Sequence, residues 1–305
     1  MDTSAAQQFW RYSLSFFRLT RPVFLLGGLL MYAFGFTTAA LHLDDTDMPS
    51  AAAGIVMVLC VQLVAQYSNE YWDVDAASLN HANRTWFSGG SGVLPTGVIP
   101  RRAALTAARV FALLAVLTML ALLWSGRPFA ALIGLLGLPG SWFYSAPPLR
   151  WTSSGWGELI ASAIVSLLVP LAGAFSQTGS LFPELFFAVP FLMLHWAMVI
   201  ALSLPDMETD RAAGKMTLAV RLGQSRTVQL HHLLIAGAYL LGVLLSLWMT
   251  SGGWLFLASA PIAAVHIALV RRNRPAEYNW LTLTGVASFA SCAALTLLGL
   301  VLSAR

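Results

Sequence analysis

From Pro22 onward the chain is a succession of nearly uncharged apolar stretches separated by short polar segments. Each stretch is about as long as a bilayer's hydrocarbon core requires of a helix, roughly 17–25 residues. Lipid offers the backbone no hydrogen-bond partners, so a spanning segment must satisfy its own amides, as a helix does. The candidate spans are residues 22–42, 50–68, 104–124, 128–144, 156–175, 183–204, 228–249, 254–270 and 281–303. Pro139 and Gly140 interrupt the fourth and soften its boundary. Of the 305 residues 58% are hydrophobic and only 10% charged, where a soluble domain carries roughly a quarter charged. The expectation is an all-α, polytopic membrane helical bundle of about nine transmembrane helices, one domain over residues 1–305.

Charge sets the orientation. Fifteen of the 17 lysines and arginines fall in segments that this span order puts on one side, and only Arg127 and Arg305 fall opposite. The positive-inside rule then places the lead-in 1–21 and the loops 69–103 and 205–227 in the cytoplasm. Basic loops beside a membrane account for the net charge of +4 without a nucleic-acid partner. The lead-in is amphipathic, with Phe16, Phe17 and Leu19 able to lie in the interface. The first apolar run is span-length and followed by many others, so it reads as a span rather than a signal peptide. Segment 44–48, on the far side, reads as a solvated turn. Cys60 and Cys292 lie inside spans and read as small apolar residues, not as a disulfide or zinc pair. The six histidines are scattered. His231 and His232 are adjacent, point to different sides of a helix and make a poor ligand pair, so each reads as a packed or interfacial side chain. Nothing marks an obligate protein partner.

Polar chemistry is concentrated at two span ends on the basic side. Residues 181–204 run into P-D-M-E-T-D-R-A-A-G-K, in which Asp206 and Asp210 are four apart and so share a helix face. Two carboxylates on one face repel unless a cation lies between them, and hard oxygen ligands suit Mg²⁺. Lys215, just beyond, is the kind of point charge that holds a phosphate. The second span runs into N-E-Y-W-D-V-D, where Asn69 and Asp73 are again four apart and Glu70 lies three before Asp73. Asp75 is roughly 200° round the helix from Asp73. A polar, capped helix end would explain either cluster alone, but their recurrence on one membrane side favours a shared site.

The loop after Arg84, T-W-F-S-G-G-S-G-V-L-P, carries Gly89, Gly90 and Gly92, whose neighbouring amides could face phosphate oxygens; a flexible linker explains it equally well. Arg84 could grip a diphosphate. Arg21 could anchor the first span by its charge or reach an anionic ligand. Y-S-A-P-P-L-R brings Tyr144 and Arg150 to the same face, and Glu158 reads either as a first-turn helix charge or as a site residue.

N-E-Y-W-D, F-S-G-G-S-G-V-L-P, Y-S-A-P-P-L-R and D-M-E-T-D-R-A-A-G-K-M-T-L-A-V-R-L-G together resemble the UbiA superfamily of intramembrane prenyltransferases, over nearly the whole chain. The second cluster is most similar to the branch that prenylates 1,4-dihydroxy-2-naphthoate on the way to menaquinone. The resemblance implies a nine-helix bundle around a central cavity open to lipid, in a bacterial or archaeal cell membrane. It implies Mg²⁺ as cofactor, held by Asn69 and Asp73 at one site and Asp206 and Asp210 at the other, with a polyprenyl diphosphate and a small aromatic acceptor as substrates. Lys215 and Arg84 fall where the family places phosphate-binding groups. The first motif departs from the family's N-D-x-x-D-x-x-x-D: its second residue is Glu70 and its last is Ala77, leaving Glu70 or Asp75 as the replacement ligand. The branch's asparagine before the second motif is also absent, the positions being Ser203, Leu204 and Pro205.

Such a reaction needs the leaving diphosphate neutralised and the allylic cation kept from water. Tyr71, Trp72 and Tyr144 are near enough in sequence to steady that cation, with packing as the plainer role. A family member with another acceptor or a cyclising activity, a cation-coupled transporter and an inactive structural subunit are the competing readings. A transporter places its acids near mid-membrane in broken helices, whereas these lie at span exits beside basic residues.

Overall fold

The computed structural model describes residues 3–79, 84–249 and 253–303, so Arg305 and His81 lie outside the described residues. Among the described residues the regular structure is helical throughout. An amphipathic α1 (Thr3–Leu19) leads into α2 (Pro22–Ala40) and α3 (Met48–Trp72), and a short α4 (Val74–Leu79) follows. Next come α5 (Arg101–Trp124) and α6 (Pro128–Trp142). Helices α7 (Gly157–Ala163) and α8 (Val169–Phe175) make one span, joined by a π-helical stretch at Ile164–Leu168. Pro170 has no N–H to give the helix ladder, and a wider turn before it absorbs the mismatch. The last elements are α9 (Ala188–Ser203), α10 (Met207–Ala212), α11 (Leu218–Met249), α12 (Ala260–Arg272) and α13 (Tyr278–Ser303).

Eight helical segments among the described residues are long and apolar enough to cross a membrane, and the 15-residue α6 is a shorter apolar ninth. This is the expected polytopic bundle. The fourth segment ends at Trp142, not at residue 144, because the chain turns there toward the paired prolines. The seventh begins earlier than its apolar stretch, at Leu218, and is broken by Gly223, whose φ of 74° lies in the left-handed region.

Packing is that of helices in lipid, where close backbone approach replaces the hydrophobic drive. α2 lies on α8 through two glycines: a Cβ on Gly35 would strike the Pro170 carbonyl, and one on Gly173 the Tyr32 carbonyl. α3 runs along α5, and α9 along α11. The core between them is apolar, with Phe34 edge-on to Phe191 at 5.1 Å. Cys60 and Cys292 are free and buried, as expected. His195 bonds Ser162 at 3.0 Å inside the bundle. His231 is also buried, but it pairs across helices with His266, their Nε2 atoms 3.0 Å apart.

The turn at 44–48 is more than a solvated turn. Asp47 caps α3, accepting from the Ser50 amide at 3.0 Å and its hydroxyl at 2.6 Å. Arg127 donates to Asp47 at 3.0 Å and to the Gln177 carbonyl at 2.6 Å, so three loops are tied together on the face away from the acidic clusters.

Candidate active site

The two acidic helix ends meet. The Asp73 amide donates to the Asn69 carbonyl at 2.9 Å and the Asp210 amide to the Asp206 carbonyl at 2.8 Å, so each pair keeps helical spacing. Asn69 and Glu70 from α3, Asp73 capping its end, Ala76 and Ala77 from α4, Gly89 and Gly90, and Asp206, Asp210 and Lys215 line one small pocket. Lys215 joins its halves, 3.1 Å from Asp73 and 3.8 Å from Asp210. Gly214, at φ 71°, makes this possible: its left-handed turn ends α10 and returns the Lys215 amide to the Asp210 carbonyl at 2.8 Å.

Burial alone would lower the Lys215 ammonium, but Asp73 and Asp210 beside it hold it above its ordinary value. Burial pushes the Asp210 carboxyl up, Lys215 pulls it down, and Asp73 adds to the rise. Tyr144 is pushed up to about 12 by burial, with the nearby charge of Glu158 adding to the effect. Both lysine and tyrosine therefore stay protonated at neutral pH.

Two amides of the glycine loop are turned onto the acidic residues themselves. Gly89 N–H donates to Asp206 at 3.0 Å, and the Ser91 amide and hydroxyl donate to the two oxygens of Glu70 at 2.6 and 2.7 Å. Positive φ at Gly89, Gly90 and Gly92 lets the chain turn its N–H groups that way. Glu70, expected among the metal ligands, lines the pocket, and each of its oxygens accepts a hydrogen bond from Ser91. Arg84, expected to grip a diphosphate, bonds the Gly89 carbonyl at 3.1 Å and the Ala77 carbonyl at 3.3 Å, bracing the loop. Arg21 donates to the Phe87 carbonyl at 2.8 Å. Burial lowers its guanidinium, which Glu70 and Asp206 oppose. Arg150 is exposed, holds a left-handed φ of 41° and is not among the pocket's lining.

Of the two proposed replacements for the missing third acid of the first motif, Glu70 lines the pocket and Asp75 does not. Asp75 is solvent-facing and lies 3.7 Å from Arg101. Ala77 sits beneath Gly90, where a Cβ on residue 90 would approach its methyl to 3.3 Å. Tyr71 lies under Arg101, 4.8 Å from the ring centroid, and is edge-on to Trp72.

Two further residues support the site: Ser145, which sequence reasoning did not place, and Glu158, which it did. Ser145 accepts from Asn69 Nδ2 at 2.9 Å and donates to Asp73 at 3.4 Å, and no spacing rule links it to either. Glu158 is buried and accepts from the Leu218 amide at 2.9 Å, pinning the segment just after Lys215. The sequence left it open between a first-turn helix charge and a site residue.

Among the described residues no three acids, histidines or cysteines stand together as a metal cage. The oxygens come as one or two carboxylates per helix end, which suits Mg²⁺ sharing its shell with substrate phosphates rather than ions caged by protein alone. The residues present fit that group.

A multi-helix membrane bundle with this mouth of carboxylates and lysine defines the class, a polytopic membrane enzyme of prenyl transfer. The UbiA prenyltransferase family model matches residues 28–291, and the chain belongs to that family. It is 28% identical to the 1,4-dihydroxy-2-naphthoate octaprenyltransferase of Mycobacterium leprae, over 86% of this chain and 90% of that one. To the protein of the same name from Mycobacterium tuberculosis it is 32% identical, over 78% and 80%. Among solved structures, a UbiA homologue from Aeropyrum pernix K1 superposes with a TM-score of 0.66 at 17% identity, over 87% of this chain and 96% of that one. One from Archaeoglobus fulgidus bound to GPP and Mg²⁺ gives 0.62 at 21% identity, over 93% and 99%.

Proposed function

We propose that the enzyme transfers a polyprenyl group from an allylic diphosphate to a small aromatic acceptor, 1,4-dihydroxy-2-naphthoate in menaquinone biosynthesis. The observation that carries this reading is the single pocket in which Asp73, Asp206 and Asp210 meet with Lys215 between them. The names of the mycobacterial relatives supply the acceptor, and the metal and donor bound to the archaeal homologue agree in kind.

Asn69, Asp73, Asp206 and Asp210 hold Mg²⁺, which when bound offsets the charge of the diphosphate. Lys215 adds a half-buried positive charge at the same spot, so the leaving group departs into a prepared field. The allylic C–O bond breaks with its electron pair going to diphosphate, and a ring carbon of the acceptor forms the new C–C bond. The ring then loses a proton, or carbon dioxide where that carbon bore a carboxylate. The apolar bundle keeps water from the cation. The glycine loop positions Asp206, and Ser145 and Asn69 position Asp73. The pocket faces the cytoplasm by the positive-inside rule, in a bacterial or archaeal cell membrane.

Detergent-solubilised protein given labelled polyprenyl diphosphate, Mg²⁺ and the naphthoate is expected to yield prenylated product. Asp206→Asn or a chelator abolishes it. Equal turnover with either change defeats the proposal, and turnover only with a different acceptor corrects its last step.

A further inference from the structure

A second cleft, of about 660 Å³, lies away from this pocket, between the beginning of α11 and the end of α12. Gln224, Ser225, Gln229, His232 and Arg271 line it, over Val228 and Ile267. Each of these polar side chains can donate a hydrogen bond, and no acid is among the lining residues. Arg271 is exposed and makes no ion pair among the described residues, whereas Arg272 beside it is held by Glu277 at 2.9 Å. Such a set of donors around an unneutralised guanidinium is suited to an anion, and a planar guanidinium matches phosphate oxygens two at a time.

The place narrows the choice of anion. The cleft lies at the basic ends of two membrane helices, near Arg221, Arg226 and Arg274 in the chain. At helical spacing from Gln229, Leu233 and Leu240 continue the same face of α11 away from those ends, and they are 70% and 63% exposed. A charged head above and an apolar track below is the outline of a phospholipid. Basic pockets between spans are a known way of holding anionic headgroups. We propose that this cleft is a binding site for the phosphate headgroup of an anionic phospholipid, whose acyl chains run along Leu233 and Leu240.

The test is native mass spectrometry of the full chain in detergent, titrated separately with phosphatidylglycerol and phosphatidylcholine. Phosphatidylglycerol adducts are expected to dominate, and Arg271→Ala to lower their retention about fivefold, the effect of one basic residue near an anionic headgroup. Arg272→Ala, removing an arginine already paired, leaves retention unchanged. Both variants keep their prenyl-transfer turnover, which shows that they fold. Equal adducts of the two lipids, wild-type retention in Arg271→Ala, or equal losses in both arginine variants overturn the site. Free sn-glycerol 3-phosphate should not displace the lipid at matched concentration; if it does, the lipid assignment fails in favour of a soluble phosphate.

Discussion

Lys215 is the residue on which the two halves of the pocket converge, and its replacement separates charge from shape. Lys215→Met leaves Asp73 and Asp210 without the ammonium that joins them. Transfer turnover is expected to fall by on the order of a hundredfold or more, as when a single preorganised electrostatic contact is removed. Lys215→Arg keeps the charge but not the compact geometry and falls between the two. Glu70 offers a sharper contrast. Because its oxygens accept from Ser91, Glu70→Gln retains one acceptor and is expected to keep far more turnover than Glu70→Ala. Were Glu70 a metal ligand, both variants would fail alike and both would raise the Mg²⁺ requirement, which a metal titration reads directly. The helical pairs Asn69–Asp73 and Asp206–Asp210 could be read from the sequence because spacing four on a helix fixes a shared face. Ser145 and the loop amides could not, since those contacts arise from where distant segments arrive rather than from any local period.

Among the elements, the α2–α8 contact is set by backbone proximity. Gly35→Val forces a branched side chain into the Pro170 carbonyl, and overpacking of this sort costs about 1–3 kcal/mol. Thermal melting of the detergent-solubilised protein should show it as a lower midpoint, while an equally small change at Gly27, which meets nothing within 4 Å, leaves the midpoint in place. The far-side loops give a pH dependence. Hydrogen bonds from the Ser50 hydroxyl and then its amide, with help from Arg127, hold the Asp47 carboxyl below its ordinary value. A depressed carboxyl adds stability above its unfolded value and loses it as pH falls through the folded one. The melting advantage of wild type over Asp47→Asn is therefore expected near neutral pH and shrinks on acidification below the ordinary carboxylate range. Span count and order were plain from apolar run length, but this loop network was not: Arg127 on the far side gave no hint of its partners.

For the whole molecule, the basic and acidic residues that matter share one membrane face. A cysteine introduced at Arg274, with Cys60 and Cys292 buried and silent, should react with a membrane-impermeant maleimide only in inside-out vesicles if the basic face is cytoplasmic. Labelling from the outside reverses the orientation. The bundle itself was legible because lipid admits so few alternatives; the pocket was only half legible, because its acids are local motifs and its scaffolding is not. The glycine loop shows what that scaffolding implies. It is fastened to the start of the first span by Arg21, to the two acidic ends by Gly89 and Ser91, and to the last span by the bond from Trp86 N–H to Asn279. The loop is thus a tie-beam across the doorway: any spreading of these helices would first have to unfasten the segment that aligns the carboxylates.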